Sequence, residues 1–97
     1  MVRESSFEKN VCKCIKSCGG RAFKWVSPGC TGVPDRICLF PGGRVVFIEV
    51  KRPGEKDGLK PRQRKIIDLL RSFGFAVWRI ENKEELLFKL RCLGYEV

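Results

Sequence analysis

Ninety-seven residues suffice for one domain with a modest core, and 43% hydrophobic with 32% charged residues mark a globular rather than a disordered chain. Twenty Lys and Arg stand against 11 Asp and Glu with no histidine, a formal charge of +9 that points to a polyanionic partner, although solubilising charge or a ribosomal-type RNA binder would read the same. No apolar run nears the ~20 residues of a membrane span, and the start Met-Val-Arg-Glu-Ser-Ser lacks a signal-peptide core, so the expected setting is the cytoplasm with reduced thiols.

Ser5 or Ser6 caps a first predicted helix over roughly residues 6–18, with Phe7, Val11, Cys14, Ile15 and Cys18 as its apolar stripe and Gly19-Gly20 as its stop. Arg21–Val26 alternates as a strand does, and Ser27 to Gly32 form a loop whose small residues let backbone approach a ligand. Two apolar runs, Ile37–Phe40 and Val45–Val50, then flank Pro41-Gly42-Gly43 and predict a hairpin. A three-residue loop sets Phe40 opposite Arg44 and Asp35 opposite Glu49; a two-residue Gly42-Gly43 loop shifts that register by one. Pro53 ends the second strand in a polar stretch, Arg52 to Gly58.

Pro61 opens a second helix over roughly 61–73, with Ile66, Ile67, Leu69, Leu70 and Phe73 as its buried face and Gly74 as its C-terminal stop. Phe75–Ile80 is a continuous apolar run of the kind found in buried central strands, with Trp78 read as core. Asn82 caps a last helix over roughly 83–92 that presents Leu86, Leu87, Leu90 and Leu93. The order is α-β-β-β-α-β-α in a single domain, residues 1–97, without repeats or linkers.

The chemistry concentrates at the open end of the hairpin. Side chains alternate along a strand, so Glu49 and Lys51 share a face while Val50 points to the core. Charge at the end of an apolar strand is costly unless paired or bound to a metal. Mg²⁺ takes oxygen ligands and is often held by one or two carboxylates plus substrate phosphate. Asp35 and Glu49 supply those carboxylates, the Val50 carbonyl a further oxygen, and Lys51 a charge beside the scissile phosphate. Arg62, Arg64 and Lys65 on the first turn of the second helix make a phosphate-facing patch, and Arg36, Arg52, Lys56 and Lys60 complete the candidate nucleic-acid contacts.

Pro34-Asp35, thirteen intervening residues, then Glu49-Val50-Lys51 resembles the PD-(D/E)xK nuclease superfamily. The frame from Lys24 through Gly54 resembles the central block of its virus-type replication-repair branch, the VRR-NUC domain. Lys60 through Phe75 resembles that family's glutamine-bearing helix, and the likeness covers nearly the whole chain. It implies an α/β restriction-endonuclease-like core, a mixed central sheet flanked by helices, with Arg44–Lys51 as the catalytic strand. It further implies Asp35, Glu49, Lys51 and Gln63 as catalytic residues, Gln63 orienting the water or a phosphate oxygen. Glu8, with Glu4 in reserve, would approach the metal directly or through water; a solvated first-turn carboxylate is the plain alternative. The implied activity is a Mg²⁺- or Mn²⁺-dependent, structure-specific endonuclease of stand-alone phage or bacterial type. Its substrate would be branched DNA, cut by a homodimeric Holliday-junction resolvase, or a flap. If phage-encoded, it would work in the host cytoplasm.

A second reading is a basic binding module whose carboxylates pair with Arg36, Lys51 or Arg52; acidic groups where phosphates must sit argue against it. A third is a zinc-stabilised interaction domain built on Cys12, Cys14, Cys18, Cys30, Cys38 and Cys92. Only Cys14 and Cys18 have zinc-pair spacing and no histidine exists, so the cysteines read mainly as small core residues and zinc as unlikely.

Overall fold

A computed structural model describes residues 6–51 and 59–97. In chain order the elements are α1 (Ser6–Ser17), β1 (Arg21–Lys24), β2 (Arg36–Phe40), β3 (Arg44–Val50), α2 (Pro61–Ser72), β4 (Ala76–Ile80) and α3 (Lys83–Cys92). The strands form a four-stranded sheet in the order β1-β2-β3-β4, with β1-β2 and β2-β3 antiparallel and β3-β4 parallel. This is the expected mixed sheet flanked by helices. The Arg52 to Gly58 stretch, with Arg52 and Lys56, lies outside the described residues, as do Glu4 and Ser5.

The β2-β3 register pairs Phe40 with Arg44 and Arg36 with Ile48, which settles the turn as the three-residue loop 41–43. Gly42 and Gly43 take φ of +87° and +82°, a region that side chains with a Cβ enter at a cost, so two adjacent glycines suit this turn. One step beyond the last pair, Asp35 faces Glu49. The backbone continues that far, because Trp25 N–H donates to Asp35 O at 3.0 Å.

Alternation divides β3 between two packed layers. Val46, Ile48 and Val50 join Val11 and Ile15 of α1, Cys38 and Phe40 of β2, Ile80 of β4, and Leu86 and Leu90 of α3 in the larger core. On the other face Phe47 packs with Val77 and with Ile67 of α2. Burying each large aliphatic side chain is worth about 1.5–3 kcal/mol, so the first layer supplies most of the stabilisation.

Two expectations are corrected. Phe75–Ile80 is not central: among the described residues β4 pairs with β3 alone and stands at the sheet edge. It reads as continuously apolar because α2 and α3 both pack on it, so both faces are covered although one edge is open. The buried face of α2 is also narrower than predicted. Ile67 is buried, but Leu69 and Phe73 are 47% and 66% exposed, since α2 covers only part of its sheet face. The Asn82 cap is present, its Oδ1 accepting from Glu85 N–H at 2.9 Å.

Candidate active site

Odd-numbered residues of β3 turn toward α2, so Glu49 follows Val45 and Phe47 onto that face. Glu49 is only 6% exposed. Gln63, on the first turn of α2, donates from Nε2 to Glu49 Oε2 at 3.0 Å, while its own Oε1 accepts from Lys60 N–H at 3.0 Å. The second contact is the returning half of a capping box and fixes the amide. In this structure both ends of the Gln63 amide are thus engaged, one with Glu49 and one with the Lys60 N–H.

Asp35, half-buried at the entry to β2, accepts at Oδ2 from Val50 N–H at 2.8 Å. The N–H and C=O of one strand residue point the same way, so the Val50 carbonyl also lies on the Asp35 side. Asp35, Glu49 and the Val50 carbonyl thus converge where β2 begins and β3 ends. This all-oxygen set suits a hard divalent cation such as Mg²⁺ or Mn²⁺, which needs no more than two carboxylates when substrate phosphate and water complete its shell. Among the described residues no three His, Cys, Asp or Glu side chains are grouped as a metal centre.

Lys51 N–H donates to Ile80 O at 2.8 Å, and Lys51 Nζ meets Glu81 Oε2 at 3.3 Å. Glu81 was not anticipated. It enters through the parallel register of β3 and β4, which sets Glu49 beside Arg79 and Val50 beside Ile80. Glu49-Val50-Lys51 and Arg79-Ile80-Glu81 are sign-reversed triplets on neighbouring strands. That complementarity is written in the sequence, but the register that joins the two is not.

Glu8 and Arg36 meet across α1 and β2. Both are buried, at 4% and 5% exposure, and Glu8 Oε2 accepts from Arg36 Nε at 3.0 Å and Nη2 at 2.8 Å. Alternation places Arg36 with Cys38 and Phe40 on the α1 face, away from Glu49 and Gln63. Arg36, a candidate phosphate contact, is buried and engaged with Glu8 in this structure. Glu8 is not a solvated carboxylate: it is buried and paired with the Arg36 guanidinium.

The remaining basic candidates, Lys60, Arg62, Arg64 and Lys65, are exposed along the start of α2. Arg62 Nη1 donates to Thr31 Oγ1 at 2.6 Å and ties α2 to the Ser27 to Gly32 loop. Between loop and helix lies a cavity of about 320 Å³ lined by Thr31, Gly32, Val33, Lys60, Arg62 and Gln63. A second, of about 230 Å³, shares Thr31 and Arg62 and adds Lys65. This basic groove begins at the residue that holds Glu49.

The cysteines are all free thiols. Cys38 is fully buried, and desolvation followed by nearby Cys12 pushes its thiol up to about 12. Cys14 and Cys18 pack against the larger core, as expected, but Cys30 and Cys92 are exposed and do not fit the core reading.

Asp35 at the start of β2 and Glu49 and Lys51 at the end of β3 thus stand at one end of a mixed sheet flanked by helices. A family model described as "VRR-NUC domain" matches residues 2–81, and the chain belongs to that family. It is 48% identical over 56 residues to "Putative nuclease p44" of Acyrthosiphon pisum secondary endosymbiont phage 1. That match covers 58% of this chain and 60% of the relative, so the chain spans less than two thirds of that protein. A solved structure described as "VRR_NUC domain" superposes with a TM-score of 0.78 at 25% identity, covering 92% of this chain and 94% of that one.

Proposed function

We propose that the protein is a divalent-metal-dependent endonuclease that hydrolyses phosphodiester bonds in branched DNA. The observation that carries this reading is the hydrogen bond from Gln63 to Glu49 beside Asp35, which assembles one acidic centre from three separate segments. Asp35, Glu49 and the Val50 carbonyl would hold Mg²⁺ or Mn²⁺. When bound, such an ion supplies Lewis-acid stabilisation of phosphate charge. Lys51 adds a fixed positive charge against the negative charge that grows on the phosphate oxygens. Gln63 keeps Glu49 in its ligating rotamer. Lys60, Arg62, Arg64 and Lys65 hold the flanking backbone, and the position of Lys60, Arg62 and Lys65 along the groove supports a substrate entering beside α2. Asp35 and Glu49 would repel that backbone without an intervening cation, which supports catalysis over simple binding.

A symmetric four-way junction needs two cutting sites related by a two-fold axis, so the proposal includes a homodimer. The test is cleavage of a labelled four-way junction beside linear duplex, single strand and 5′-flap, with Mg²⁺, Mn²⁺ or EDTA. Paired symmetric nicks, lost with EDTA and in Asp35→Ala and Lys51→Ala, are the expected result. Flap cutting alone would move the substrate, and binding without cleavage in either metal would leave a binding module. Asp35→Ala should still bind the junction.

A further inference from the structure

Glu81 stands one residue beyond β4 and has no part in the function proposed above. The parallel register pairs Glu49 with Arg79 and Val50 with Ile80, and Lys51 N–H extends that ladder to Ile80 O at 2.8 Å. Lys51 and Glu81 therefore leave neighbouring strands side by side, and Lys51 Nζ meets Glu81 Oε2 at 3.3 Å. The Glu81 backbone is also tied to the start of α3, its N–H donating to Glu85 Oε2 at 3.4 Å. Both side chains reach solvent, Lys51 at 23% and Glu81 at 48% exposure, so the pair is open to an incoming phosphate. An exposed ion pair adds little to stability, and the fold alone does not account for this one. A carboxylate on the phosphate-facing side is moreover unfavourable for polyanion binding, and its presence there calls for a use in the chemistry.

We propose that Glu81 is a positioning residue for Lys51, holding its ammonium on the face that carries Glu49 before the substrate arrives. The inference rests on the nuclease reading above. A lysine head is a compact charge on a flexible four-carbon stem, and without a partner it samples many rotamers. The contact with Glu81 occupies one of its three donors and leaves two for a phosphate oxygen. The charge is then already in place when negative charge develops on the phosphate, with no reorganisation left to make.

The test compares wild type, Glu81→Ala and Glu81→Gln for junction and duplex cleavage in Mg²⁺ and Mn²⁺, with kcat and KM separated. Junction binding in EDTA and Tm without DNA are measured on the same proteins. Glu81→Ala should lose about 10–100-fold in kcat, as loss of a group that orients an active-site side chain does elsewhere. Its binding in EDTA should equal or exceed that of wild type, because a carboxylate has left the phosphate-facing side. Its Tm should stay within about 8 °C of wild type, the most that an exposed pair supplies in a domain of this size. Glu81→Gln keeps an acceptor oxygen at the same reach and should recover part of the rate. Wild-type or faster kcat in Glu81→Ala overturns the inference and leaves the nuclease reading standing if Lys51→Ala is dead in the same assay. A larger fall in Tm assigns Glu81 to the fold and also overturns it. A wild type that cuts no DNA with either metal removes both readings together.

Discussion

Gly32 takes φ of +91°, and a Cβ there would come within 3.0 Å of the Arg62 carbonyl carbon and oxygen. Neither atom is the yielding end of a side chain, so the loop or the start of α2 must shift. Gly32→Ala should therefore cost about 1–3 kcal/mol, read from urea unfolding. It should also weaken DNA binding, since the Thr31–Arg62 contact sits on the same junction. An unchanged midpoint would show that the approach is not tight. Cys38 supports a second test. Its thiol is raised in the folded state to about 12, so between the ordinary thiol value and that figure the unfolded chain ionises first and binds fewer protons. Stability then falls as pH rises through this window and is fully present below it. Wild type should lose up to about 1.4 kcal/mol per pH unit more than Cys38→Ala there. Parallel unfolding curves between pH 8 and 10.5 check this, and identical slopes would refute it.

At the scale of elements, α1 is fastened to β2 by the Glu8–Arg36 pair as well as by Val11 and Ile15. Breaking a buried pair from one side costs about 3–5 kcal/mol, whereas replacing both members with apolar groups is often neutral. Glu8→Ala should be strongly destabilised, and Glu8→Leu with Arg36→Met should recover most of the loss in a thermal melt. The double variant should also keep cleaving DNA, and a folded but inactive double variant would return Glu8 to the metal. This pair shows what the sequence could and could not tell. Helix periodicity made Val11 and Ile15 legible, and the Pro41-Gly42-Gly43 turn made the hairpin legible; its observed register then selected between the two loop lengths. Glu8 beside Arg36 was not legible, because their meeting depends on how α1 lies across the sheet. Glu81 and Arg79 were missed for a related reason. Parallel pairing of β3 with β4 is set by the crossover through α2, which no local pattern encodes. Asp35, Glu49 and Lys51 needed only strand alternation and a short turn.

At the scale of the whole molecule, the charge of +9 is a long-range attraction for polyanions such as the proposed DNA substrate, but only some of it lies where phosphates would sit. Lys60, Arg62, Arg64 and Lys65 line the start of α2, next to the acidic centre. Lys16 lies on α1, across the sheet from that groove. Charges separated from the bound backbone by more than the screening length, about 8–10 Å near physiological salt, contribute little to counterion release. Arg62→Ala should therefore lower the slope of log K against log salt by ~1 across unrelated sequences, while Lys16→Ala should leave it nearly unchanged. Binding is measured with EDTA present, so that cleavage does not intervene. Equal effects from the two variants would mean that DNA is drawn by overall charge and not held along α2. The groove would then lose its place beside Glu49 as the path of the substrate.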